Sequence, residues 1–95
     1  MSNYSNYLNL SEEQTELLKY LHSQITETQT QLNSEISRLS IWIQAKEEEN
    51  ADMKNVIDYE INKAKQSITS LRCRFDYLVK QLNNAETTYE FISKI

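Results

Sequence analysis

Apolar side chains recur through the second half of this chain in alternating steps of four and three: Ile57, Ile61, Ala64, Ile68, Leu71, Phe75, Leu78, Leu82, Ala85, Tyr89 and Ile92. On an α-helix that repeat draws a single seam along one side, and the seam must meet another helix to leave water. The first half carries a comparable series, Leu18, Leu21, Ile25, Thr28, Leu32, Ile36, Leu39 and Ile43. Its steps from Thr28 through Leu32 to Ile36 are four and four. A stutter that locally relaxes a left-handed supercoil is therefore expected there.

The start of the first helix is written locally. Ser11-Glu12-Glu13-Gln14 has the Ser-x-x-Gln spacing of a capping box, in which hydroxyl and side-chain amide satisfy orphan backbone donors. Glu12, Glu13 and Glu16 follow in the first turns, where the helix dipole favours negative charge. Helix-spaced opposite charges then recur, among them Glu16/Lys19, Glu35/Arg38, Lys54/Asp58 and Glu60/Lys63. Each is worth only tenths of a kcal/mol, but all agree with helix.

Between Gln44 and Asp52 the apolar pattern lapses. A turn here gives two nearly equal arms, 12–49 and 53–95, with Asn50 taking a left-handed C-terminal position and Asp52 capping the second helix. The alternative is one continuous helix in a parallel dimeric coiled coil. Three glutamates at a helix C-terminus oppose the dipole, and the register runs on through Ile43, Lys46, Asn50 and Met53. The matched arms and the polar gap favour the hairpin. The expectation is thus all-α: an antiparallel coiled-coil hairpin over 11–95, self-associating into a helical bundle, preceded by a short segment over 1–10. Tyr4, Tyr7, Leu8 and Leu10 give that segment enough apolar surface to dock on the helices. Reflecting the chain about Ala51 brings Lys46 near Val56–Asp58, Glu35 near Ser67 and Lys65, and Glu27 near Arg74 and Phe75.

Composition removes competing architectures. The chain has 0 Gly and 0 Pro among 95 residues, so the usual punctuation of hairpins, strands and tight turns is missing. No run approaches the roughly 20 apolar residues of a membrane span. The N-terminus shows neither the basic region nor the apolar block of a signal peptide. With 1 Cys there is no internal disulfide, and a reducing, cytoplasmic setting is expected, signal-less secretion being also compatible.

Charge separates the arms. Glu12 to Glu49 holds eight acids against three bases, and Asp52 to Lys94 six against seven, a contrast that suits side-by-side packing. The formal net charge of −4 argues against nucleic acid as a partner, since a basic footprint is expected there. Lys63, Lys65, Arg72, Arg74 and Lys80, interleaved with Tyr59 and Tyr77, form a basic band, but Asp58, Glu60 and Asp76 dilute it. Its simplest use is to match the acidic first arm.

Candidates for chemistry are few. His22 is the only histidine and has no second ligand at helical spacing, so no metal site is expected. Cys73 lies between Arg72 and Arg74, away from the seam, and reads as an ordinary exposed thiol. Glu47, Glu48 and Glu49 fan out around a helix by about 100° each and do not converge. With no glycine-rich phosphate loop and no Ser/His/Asp set, no cofactor and no enzymatic activity are expected.

The seam does not account for all the apolar surface. Leu17, Ile41-Trp42-Ile43, Val56, Val79 and Phe91 widen it, and a two-helix hairpin has only one dry side. Small chains of this kind gain stability by association. Trp42, Ile41, Tyr20, Tyr59, Tyr77, Arg72 and Arg74 are the expected partner-binding residues, because aromatics and arginine are enriched in interfaces. Two function classes follow. One is a coiled-coil assembly subunit or chaperone that packs against itself or other helices. The other is a small inhibitor or adaptor of phage or pathogen type that blocks a host protein with a rigid helical face.

Overall fold

A computed structural model describes residues 11–48 and 51–93. Helix α1 spans Glu12–Glu47, a 3-10 turn spans Ala51–Met53, and helix α2 spans Lys54–Ser93. The two helices pack along each other as an antiparallel hairpin, with no strand among the described residues. The continuous helix is therefore not the arrangement adopted. The 1–10 segment and Asn50, with their expected docking and capping roles, lie outside the described residues.

The N-terminus of α1 forms as its sequence dictates. The Ser11 backbone N–H donates to Gln14 Oε1 at 2.9 Å, and the Gln14 N–H donates to Ser11 Oγ at 3.1 Å. Thr15 adds a second bond to the Ser11 carbonyl through its hydroxyl at 3.1 Å. At the other end Glu48 closes α1 with an N–H bond to the Gln44 carbonyl at 3.2 Å. Lys46 supplies the cation that the last turn favours. It also reaches Asp58 across the turn at 3.1 Å, as the reflected alignment expects.

The α2 seam is buried as its repeat demands except at its end, where Ile92 stays 50% exposed. Ile57, Ile61, Ala64, Leu78 and Leu82 are buried, with Ile68, Leu71, Phe75, Ala85 and Tyr89 half-buried between and beyond them. The α1 seam departs from expectation at two positions, while Leu32 and Leu39 fall where expected. Ile36 and Ile43 stay 47% and 41% exposed, while Glu35 and Trp42 are half-buried in their stead. The observed series is Leu18, Leu21, Ile25, Thr28, Leu32, Glu35, Leu39, Trp42, which never breaks the three-four alternation. The stutter is absent. A helix lying along an unbroken seam keeps the partner's period, and one half-buried carboxylate with Arg38 at 3.7 Å costs less than local unwinding.

The core proper is at the open end, where Leu18, Leu21, Leu78 and Leu82 cluster with Ile25, Ala85 and Tyr89 against them. The molecule measures 66 × 20 × 17 Å. Its radius of gyration is 19.7 Å, against about 12 Å for a compact domain of this length.

Candidate functional site

Heptad letters organise the surface. With Leu18 at a and Leu21 at d on α1, and Ile57 at d and Ile61 at a on α2, the flanks of the seam are e and g. In an antiparallel pair g lies beside g and e beside e. The structure bears this out at Gln24 and Arg74, both g positions, where Arg74 Nη2 donates to Gln24 Oε1 at 2.7 Å. Gln24 Nε2 in turn donates to Glu27 Oε1 at 3.5 Å, linking the base to the acidic arm through an amide.

Beside the g positions lie the c positions, and together they make one broad face of the hairpin. Leu17 and Tyr20 of α1 meet Tyr77 of α2 there, lining a shallow depression of about 500 Å³ above Leu21, Leu78 and Ala85. Ile41 of α1 and Val56 of α2 occupy the same face near the turn, and Phe91 extends it at the open end. All six of these apolar side chains are exposed. Between the two apolar ends runs a wider groove of about 720 Å³ lined largely by small or uncharged polar side chains, Thr30, Gln31, Ser34, Gln66, Ser67 and Ser70.

The nominated interface residues divide between faces. Tyr20, Tyr77, Ile41 and Arg74 share the g/c face. Tyr59 points away from the seam, 62% exposed, with Lys63 Nζ 6.0 Å from its ring centroid. Arg72 is exposed at an e position on the opposite face. Trp42 occupies a d position and is half-buried within the hairpin, while Ile41 beside it is 66% exposed. Leu17, Val56 and Phe91 join the face without having been singled out. Their signal was present, as apolar residues adjoining the seam, but each reads alone as incidental.

Among the described residues no group of three or more His, Cys, Asp or Glu side chains is placed to hold a metal. His22 is half-buried on α1, at the rim of the seam, and Cys73 is an exposed free thiol. No helix of the described residues is long and apolar enough to cross a membrane. No family model, curated protein or solved structure matches the chain.

Proposed function

We propose that this protein is a non-enzymatic protein–protein interaction module, a small coiled-coil assembly subunit or chaperone that works by packing its helices against other helices. One observation carries the reading: six large apolar side chains, Leu17, Tyr20, Ile41, Val56, Tyr77 and Phe91, are exposed on one side of the hairpin. Outward apolar side chains grouped on one side of a folded chain mark an interaction site. The exposed Cys73 thiol supports a reducing, cytoplasmic setting.

Light scattering on the pure protein across micromolar concentrations tests the reading. The expected mass is a multiple of 11.2 kDa. A mass of one chain at every concentration overturns self-assembly and moves the reading to a monomeric inhibitor or adaptor with a rigid helical face.

A further inference from the structure

The outward apolar residues are not scattered. Of the large hydrophobic side chains left exposed, Leu17, Tyr20, Ile41, Val56, Tyr77 and Phe91 all fall at g or c positions and therefore share one face. Among the described residues the opposite face carries only Ile36 and Ile43 of this kind, both on α1. On α2 that opposite face is instead studded with charge, at Asp58, Lys65, Arg72, Asp76, Glu86 and Glu90. The g/c face carries charge too, at Glu13, Glu27, Arg38, Glu48, Glu60, Lys63 and Arg74, but it holds six of the exposed large apolar side chains where the opposite face holds two.

Four of the six are also spaced regularly, Leu17 and Phe91 lying outside the spacing. Tyr20 and Ile41 on α1 are 21 positions apart, and so are Val56 and Tyr77 on α2. Three heptads on a helix span about 31 Å. Because the helices are antiparallel, Tyr20 and Tyr77 form an aromatic pair at the open end, and Ile41 and Val56 an aliphatic pair near the turn. A two-fold axis across the middle of the face, perpendicular to the helices, exchanges the two pairs.

We propose that this face is closed by a second copy of the chain laid antiparallel across it, giving an up-down four-helix bundle. Tyr20 then packs on Ile41 of the second copy, and Tyr77 on Val56 of the second copy. This deepens the self-assembly reading above and rests on it. Large side chains meet small ones at both ends, so the layers stay evenly spaced along their length, as bundle packing requires. A parallel copy would stack aromatic on aromatic at one end and leave a gap over the aliphatic pair at the other. The ion pairs it could form between Glu27 and Arg74 are solvent-exposed ones, which weigh little against packing.

The middle of the face satisfies a further demand of the symmetry. Any residue on a two-fold axis meets itself, so a charge there would be repelled by its own copy. The axis falls between Thr30 and Gln31 on α1 and between Gln66 and Ser67 on α2, all uncharged. Moving outward, Glu27 comes level with Ser34 of the second copy, Lys63 with Ser70, and Glu60 comes within one residue of the level of Arg74. Glu13 and Glu48 are the like-charged pair brought level, at the fringe, where both are exposed. A face 66 Å long on a hairpin 20 Å wide offers on the order of 1000 Å² per copy, above the roughly 800 Å² per partner of a stable interface.

The test uses the full chain. Ile41→Asp combined with Tyr77→Asp is expected to shift the light-scattering mass to one chain and to weaken association at least tenfold, with helicity by circular dichroism retained. Ile36→Asp is expected to leave the mass unchanged. Orientation is read by mild oxidation in a Cys73→Ser background. Chains carrying Tyr20→Cys mixed with chains carrying Ile41→Cys should cross-link to a dimer, and the Tyr20→Cys chain alone should not. If cross-linking instead joins Tyr20→Cys chains to Tyr77→Cys chains, the copies are parallel and the proposal falls. If wild type self-associates but only Ile36→Asp or Ile43→Asp dissolves the assembly, the wrong face was assigned while the self-assembly reading stands. A wild-type monomer removes both.

Discussion

Single residues separate what holds the hairpin from what it presents. Leu18 is fully buried at 0% exposure and belongs to the open-end core, so Leu18→Ala should cost roughly 2–5 kcal/mol by urea titration. Tyr59, outside both the seam and the g/c face, should tolerate alanine within about 0.5 kcal/mol. A Tyr59→Ala loss as large as that of Leu18→Ala would contradict the assigned register. Trp42 and Ile41 make a sharper pair because they are neighbours in sequence. Trp42→Ala should destabilise the fold by at least about 1 kcal/mol more than Ile41→Ala, since Trp42 is in the seam and Ile41 is outside it. Equal losses from the two would place the indole outside. Glu35 is the residue whose place was hardest to foresee. Its side chain is only 24% exposed at a seam position, and Glu35→Leu should raise stability by about 1 kcal/mol or more because it removes a partly buried carboxylate and adds apolar contact. A fall in stability would mean that the carboxylate contributes more than its exposed partner Arg38 suggests.

Whole helices were largely legible in the sequence because their signals are local. The α2 seam has no competing reading, and the Ser11 capping box formed with both reciprocal bonds. The α1 seam was legible except at two positions, Ile36 and Ile43, with Leu32 and Leu39 falling where expected. The sequence offers Ile36 and Ile43 as apolar steps, and hydrophobicity alone prefers them to Glu35 and Trp42. The partner helix decides otherwise, because period is a property of the pair and not of one strand of sequence. The turn was legible as a lapse in pattern but not in its details. Lys46 pairs with Asp58 and so ties the last turn of α1 to the first turns of α2. Both side chains are well exposed, so Lys46→Ala should cost no more than about 1 kcal/mol, read as a small drop in the urea midpoint with helicity unchanged. Abolition of the hairpin by this change would assign the turn a far larger role than its geometry supports.

For the whole molecule the shape matters more than any one contact. A two-helix hairpin buries one seam and leaves its flanks in water, as the exposed Leu17, Tyr20, Ile41, Val56, Tyr77 and Phe91 show. The g/c face could not be read in advance, because Tyr20 joins Tyr77 and Ile41 joins Val56 only once the antiparallel register is known. Tyr20, Ile41 and Tyr77 read singly as interface candidates and Val56 as an ordinary flank, but their grouping on one face does not show in the sequence. The same geometry links assembly to stability, since a partner that binds only the folded chain raises its stability by mass action.

Thermal unfolding followed by circular dichroism over a hundredfold range of protein concentration tests that link most directly. If the hairpin is completed by other copies of itself, the melting temperature rises with concentration throughout the range, and the Ile41→Asp/Tyr77→Asp chain melts lower and loses the dependence. A wild-type melting temperature that does not move with concentration would contradict the account, because the hairpin would then be stable without any cover for its exposed face.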